Sequence, residues 1–500
     1  MSDDVVAAVP APQSGLLGHP RGLITLSATE MWERFSYYGM RALLVLFMVE
    51  SVEEGGLGYS DQTATAIYGL YTAAVYMLCL PGGWIADRLI GAQRAVWFGG
   101  IIIMSGHFVL AIPSIPTFFL GLILVSLGTG LLKPNISAIV GEFYPPGDPR
   151  RDGGFTIFYM GINIGAALGP LVCGWLALDN WHYGFGVAGV GMLFGLIQFK
   201  LTQSQLGDAG AAPPAKRPDD ARYQRKAWTG ILAFLVVLAV LLVAGLTGAL
   251  NLDAVALARY STFAIVTLAF VYFGYVLLLG QLTRDERGRV IVIIALFFAA
   301  AMFWSGFEQA GSSLNLFAER YTIREFGGFE IPASWFQSLN PVFIIILAPF
   351  YSMLWVGLAR RHLDPTAPLK FAVGLIILGL GFAVMIGAAT LVAEGQQVFP
   401  TWLFFTYLLH TMGELALSPV GLSAVTKLAP RRFVGQMMGV WFLAASLGNI
   451  IAGLLAGEFR ADAVDEMPRL YLQIVLTTIG SGVLLALLAK PLKRLMSSAE

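Results

Sequence analysis

Residues 30 to 41 read Glu30-Met-Trp-Glu33-Arg34-Phe-Ser-Tyr37-Tyr38-Gly-Met-Arg41, at the head of a stretch long and apolar enough to cross a membrane. Four ionisable groups in one spanning helix demand a reason. Each charge near a bilayer centre costs roughly 2.5 to 3.5 kcal/mol even on the lenient insertion scale. Glu30, Glu33, Arg34, Tyr37, Tyr38 and Arg41 recur at helical spacing, so all six share one face. That face is expected to look toward protein or water, and an ionisable cluster at membrane depth marks a functional site.

Composition makes lipid the solvent for the rest of the chain. With 57% hydrophobic residues, 12% charged residues and a mean hydropathy of +0.72, the 500 residues are too apolar for a soluble protein of this size. Apolar runs of about 20 residues without strict alternation imply helices and exclude a membrane barrel. The zero net charge selects no partner, and nothing in the sequence asks for nucleic acid. Cys79 and Cys173 both fall in apolar segments and read as packing residues. The Met1 to Arg21 segment has acids and prolines where a signal peptide needs a basic start and an apolar core, so it reads as a short cytoplasmic tail.

Fourteen spans are expected, at roughly 24–50, 62–86, 94–112, 116–141, 153–177, 183–201, 227–249, 258–281, 289–318, 332–359, 369–392, 399–427, 433–457 and 469–489. A polar linker at 202–226, with Ala-Ala-Pro-Pro-Ala-Lys-Arg-Pro-Asp-Asp at its centre, divides them near the middle. Six spans at 22–201 precede it and eight follow; setting aside the nearly uncharged pair at 227–281 leaves six more at 282–490, before a tail at 491–500. This all-α plan of two six-helix bundles with an inserted hairpin resembles the major facilitator architecture. Lys and Arg crowd the connections after even-numbered spans, among them Arg88, Arg94, Arg150, Arg151, Arg284, Arg287, Arg360, Arg361, Arg431 and Arg432. The opposite connections hold few. Both termini and the linker are therefore expected to be cytoplasmic, in a multi-pass protein of the inner (plasma) membrane.

Further motifs sharpen the plan. Gly83-Trp-Ile-Ala-Asp87-Arg88-Leu-Ile-Gly91, in the turn after the second span, has the Gly-x-x-x-Asp-Arg-x-x-Gly pattern of major facilitator transporters, whose charges are expected to pair with neighbouring helix ends. Gly128-Thr-Gly130-Leu-Leu-Lys133 lacks the Gly-Lys-Ser/Thr ending of a phosphate loop, and a lysine at that depth asks instead for a carboxylate. The ninth span sets Trp304, Glu308, Ser312 and Asn315 on one face, and the twelfth does the same with Tyr407, Thr411, Glu414 and Ser418. Buried cations thus gather in the first half, as Arg34, Arg41 and Lys133, while Glu308 and Glu414 stand alone in the second. A small zwitterion bound between the halves would meet both signs.

The motifs Glu30-x-x-Glu33-Arg34-Phe-Ser-Tyr-Tyr, Phe155-Thr-Ile-Phe-Tyr159-Met-Gly-Ile-Asn163-Ile-Gly165, Trp335-Phe-Gln337-Ser-Leu-Asn340-Pro341 and Gly413-Glu414-Leu-Ala-Leu-Ser418-Pro419 resemble the proton-dependent oligopeptide transporter family, bacterial type, over about residues 22 to 490. The resemblance implies symport of di- and tripeptides with protons by alternating access. It also implies that Arg41, with Lys133 nearby, attracts the peptide carboxylate, and that Glu414 with Asn163 and Asn340 holds the amino terminus. Tyr37, Tyr38, Tyr76, Tyr159, Trp304, Ser418 and Trp441 would line the cavity. Aromatic walls accept many side chains, whereas fixed charges read only the termini that every peptide shares. The second span lacks the histidine of animal members and carries Tyr68, Tyr71 and Tyr76, so coupling is expected to rest on Glu30, Glu33 and Arg34, with Lys133 and Glu308. Two gating pairs, Arg41 with Glu308 and Lys133 with Glu414, complete the expectation.

Other classes fit less well. A channel would want rings of like charge along a pore, and these charges are mixed in sign. An enzyme would want a nucleophile or metal constellation, and the sequence has no His-Glu-x-x-His, no Gly-x-Ser-x-Gly and no paired cysteine ligands. No catalytic residue, metal or cofactor is expected beyond protons as the coupling ion, and the expected partners are peptides and the bilayer, with the chain as a monomer. The alternative on the same fold is a proton-coupled carrier of nitrate, amino acids or drugs.

Overall fold

A computed structural model describes residues 15, 18–145, 148, 150–211, 220–459 and 464–496. Most of the two expected tails and the centre of the linker lie outside the described residues. The first bundle comprises α1 (Arg21–Val49), α2 (Asp61–Ile85), α3 (Ala92–Leu110), α4 (Ile115–Glu142), α5 (Arg151–Ala177) and α6 (Trp181–Thr202). A hairpin of α7 (Asp220–Leu246) and α8 (Ala254–Leu279) follows. The second bundle contains α9 (Arg284–Phe307), the short α10 (Ser313–Tyr321), α11 (Leu339–Arg360), α12 (Ala367–Ala393), α13 (Thr401–Leu428), α14 (Val434–Ala456) and α15 (Met467–Met496).

Leaving α10 aside, these are fourteen long helices in an all-α polytopic membrane fold. Among the described residues, eleven spans are long and apolar enough by composition to cross a bilayer. Helices α1, α3 and α13 are not among them, and in α1 the shortfall follows from Glu30, Glu33, Arg34 and Arg41, which protein solvates in place of lipid. Several helices begin where a polar side chain satisfies a free backbone N–H: Ser60 caps α2, Ser114 caps α4, Asn180 caps α6 and Asp253 caps α8. Thr283 and Glu286 form a reciprocal capping box at the start of α9.

The ninth expected span is not one helix. It breaks at a 3-10 turn, Glu308–Gly311, before α10 resumes. At the end of that turn the Tyr68 hydroxyl occupies the place where a side chain on residue 311 would begin, so only glycine lets α2 approach this closely. Trp304, Glu308, Ser312 and Asn315 therefore do not share a single helical face. A second 3-10 turn, Ala333–Ser338, precedes α11 and holds the Trp335-Phe-Gln337-Ser338 motif. The segment after α2 winds into a π-helical turn, Ala86–Ile90, ending at Gly91 with φ of 84°. Asp87 and Arg88 are solvent-exposed there, and among the described residues neither enters an ion pair; water removes the drive for the pairing expected of them.

The two bundles meet on the face opposite the ends of α6 and α15. There Arg320 grips Asp61 through two bonds of 2.7 and 2.8 Å, and Asn315 Nδ2 donates to the Ala42 carbonyl at 2.8 Å. Trp335 Nε1 donates to the Leu171 carbonyl at 2.9 Å, and Ser338 Oγ to the Ala167 carbonyl at 2.7 Å. Helices α2 and α14 touch backbone to backbone, since a Cβ on Gly69 would lie 2.9 Å from the Asn449 carbonyl oxygen and 3.1 Å from Gly453 Cα. One apolar core runs through both bundles, from Leu46 and Phe317 near this sealed face to Val290 and Met496 near the other. A separate cluster, with Leu23, Val96, Leu132 and Phe199, holds the first bundle together toward the other face. The hairpin lies at the periphery, with α8 against α2, α9 and α14 and most of α7 outward.

Candidate functional site

On α1 the expected polar face is buried in protein. Arg34 Nε lies 3.1 Å from Glu30 Oε1, one turn away, and the same guanidinium contacts the Glu33 carboxylate. Thr129 Oγ1 donates to Glu33 at 3.4 Å. Two carboxylates thus share one guanidinium, and all three groups are at most 3% exposed. A proton taken by either glutamate would leave Arg34 a single anionic partner, and removing one member of such a buried set typically costs about 3–5 kcal/mol. A charge event here therefore reorganises what Arg34 touches. Tyr37 and Tyr38 lie beneath it, with ring centroids 5.1 and 6.0 Å from the guanidinium carbon.

One turn further on, Arg41 shares the Tyr38 ring at 5.4 Å and reaches across to the second bundle. Its Nη2 lies 2.8 Å from Glu308 Oε2, and its Nε donates to the Tyr68 hydroxyl at 2.6 Å. The 3-10 turn aims Glu308 at α1, and the Tyr407 hydroxyl braces that turn by donating to the Ala310 carbonyl at 3.3 Å. Arg41 and Glu308 are each at most 5% exposed, so this pair closes the bundles together at depth.

Lys133 and Glu414 stand otherwise. Lys133 Nζ sits 4.4 Å from the centre of the Tyr76 ring, and among the described residues it enters no ion pair. Glu414 Oε2 accepts a hydrogen bond from Asn340 Nδ2 at 2.9 Å, and the same amide nitrogen donates to Thr411 at 3.0 Å. With Arg34 and Arg41 engaged, the two opposite charges left without an ionic partner are one from each bundle. The expectation of a cationic wall facing an anionic one narrows to this pair.

The remaining predicted residues divide by environment. Tyr159 is 38% exposed, while Asn163 is buried and donates to the Tyr159 carbonyl one turn back at 2.8 Å. Trp304 is half-buried edge-on to Phe303 and Phe307, and Trp441 packs edge-on to Phe371 in the space left by Gly421. Ser418 is half-buried on α13. Sequence reasoning assigned no role to Tyr68, which positions Arg41, or to Arg320 and Asp61, which lie at helix ends where charge is unremarkable. Tyr68 was visible as one of the tyrosines on the second span, but its partner across the chain was not.

Comparison with known proteins places these features in context. The POT family model matches residues 93–468. The peptide transporter YePEPT of Yersinia enterocolitica is 43% identical over 97% of this chain and 96% of its own length. A di-/tripeptide transporter of Lactococcus lactis is 36% identical over 97% of this chain and 98% of its own. A crystal structure of a mutant peptide transporter POT in complex with alafosfalin superposes with a TM-score of 0.88 at 43% identity, covering 97% of both chains.

Proposed function

The chain belongs to the POT family, and from that premise we propose that it is a proton-coupled symporter that imports di- and tripeptides by alternating access. The observation that carries this reading is the pairing pattern. Arg41 is closed on Glu308 across the sealed face, while Lys133 in the first bundle and Glu414 in the second have no ionic partner among the described residues. A peptide's carboxylate and ammonium complement those two charges, and Tyr76, Tyr159 and Trp304 supply apolar area that does not discriminate among side chains. The names of the relatives and the alafosfalin complex support a peptide over the nitrate, amino acids or drugs that the fold could also carry.

In this reading the sealed face is periplasmic, the termini are cytoplasmic and the protein works as a monomer in the inner membrane. The state described is the one open toward the cytoplasm. Proton uptake at Glu30, Glu33 or Glu308 loosens Arg34 or Arg41 and biases the choice between two near-isoenergetic states. The deciding experiment is uptake of labelled dialanine into liposomes under an inward proton gradient, with unlabelled peptides, amino acids and nitrate as competitors. Accumulation abolished by a protonophore and competed by peptides alone is the expected result; accumulation blocked by nitrate or single amino acids would replace the substrate.

A further inference from the structure

A cavity of about 510 Å³ opens on the face where α6 and α15 end, between the start of α9 and the α13–α14 connection. Its rim carries Arg289, Lys427, Arg431 and Arg432, against a single acid, Glu286. That acid is already engaged: one oxygen accepts the Thr283 N–H at 2.9 Å and lies 3.5 Å from Arg432. Arg432 also donates to the Gln281 carbonyl at 2.8 Å, which fixes it at the rim. Arg289, Lys427 and Arg431 enter no ion pair among the described residues. Arg289 Nε is shielded from solvent and has no hydrogen-bond partner. Three cations outside any ion pair among the described residues, beside a fourth around one cavity, are complementary to a multiply charged oxyanion.

We propose that this cavity is a binding site for a phosphate group, either a free phosphate or the headgroup of an anionic phospholipid. A phosphate has oxygens enough to accept from the forked guanidiniums of Arg289, Arg431 and Arg432 together, which a monovalent halide cannot do. Its charge relieves the mutual repulsion of the four cations. Bound there, it ties α9 to the connection that ends α13, the helix bearing Glu414, and so links the inner face of the membrane to the position of the substrate-facing acid.

The test measures thermal unfolding of the full-length protein in two arms. One compares detergent solution containing inorganic phosphate with chloride at equal ionic strength. The other compares nanodiscs of phosphatidylcholine with nanodiscs of phosphatidylcholine and phosphatidylglycerol in equal parts. Arg289→Gln/Arg431→Gln removes cations from the cavity; Arg284→Gln/Arg287→Gln removes the same charge from exposed positions of α9 that do not line it. The native protein and the Arg284/Arg287 variant should gain stability in at least one arm. The cavity variant should lose the gain, with apparent affinity for the anion down about tenfold for each charge-assisted bond removed. A gain with phosphate in detergent identifies a free anion, and a gain only with phosphatidylglycerol identifies a headgroup. No gain in either arm, a gain that survives in the cavity variant, or equal loss in both variants would overturn the site.

Discussion

The Tyr68 hydroxyl stands where the first side-chain carbon of residue 311 would be, and from that position it accepts the Arg41 Nε proton at 2.6 Å. A glycine on one bundle thereby sets the direction of a guanidinium on the other. The 3-10 turn that ends at this glycine separates α9 from α10 and carries Glu308, which pairs with Arg41.

Gly311→Ala should therefore act on Arg41 without touching it. Overpacking of this kind typically costs about 1–3 kcal/mol. The unfolding temperature should fall, and peptide uptake should fall with it. Adding Tyr68→Phe removes the nearest of the atoms in conflict, with the ring carbon at 2.5 Å remaining, and should recover part of the stability but not the uptake, because Arg41 remains without its hydrogen bond. Strictly additive losses in the double mutant would mean that the two residues act separately.

Glu33→Gln keeps the shape of the Arg34 cluster and removes one of its two acids. Gradient-driven accumulation of dialanine should be abolished while counterflow, which needs no net proton movement, is spared. Concentrative uptake at the native level would remove Glu33 from the coupling path.

Arg320 and Asp61 latch the sealed face at its rim, where solvent weakens an ion pair to about 1 kcal/mol or less. Asp61→Asn should shift the population toward opening of that face by up to about fivefold. Reversing both charges of the deeper Arg41–Glu308 pair should restore some of the balance that each single reversal loses. Distances between spin labels on α1 and α10 report both effects; an unchanged distribution in Asp61→Asn would show that the latch is idle.

Glu414 is held by Asn340 and has no cation beside it among the described residues. Losing one partner of a desolvated charge pair costs about 2–5 kcal/mol, so Glu414→Gln should weaken dialanine binding by roughly one to three orders of magnitude. N-acetylated dialanine has no ammonium to lose. It should bind the native protein poorly and respond little to the mutation, whereas equal competition by acetylated and free peptide would reassign Glu414.

Much of this was legible in the sequence because charge in an apolar helix is conspicuous. Glu30, Glu33, Arg34 and Arg41 declared a shared face through spacing alone, and the buried cluster on α1 follows from it. The break at Glu308–Gly311 was hidden, since no proline marks it and the tyrosine packed on its glycine lies some 240 positions away in the chain. The early start of α9 was missed for another reason: Thr283-Arg-Asp-Glu286 carries a capping signature, but hydropathy places a span's edge where charge begins. Trp335 and Ser338 carried no role of their own in the sequence beyond the motif they belong to, and their polar atoms are spent on α5 carbonyls at the sealed face. Which charges are spent on one another is a property of tertiary contact, and no spacing rule contains it.

The glycine-to-backbone meeting of α2 and α14 has a mechanical consequence. Interlocked side chains must be withdrawn before one surface can slide over another, and each withdrawal adds a barrier. Two bare backbones at Gly69 and Gly453 have little to withdraw, so the seam works as a bearing about which the bundles rock. Friction at the pivot is then small, and the resistance to rocking falls on the contacts at the sealed face that must part, Arg41 with Glu308 and Arg320 with Asp61.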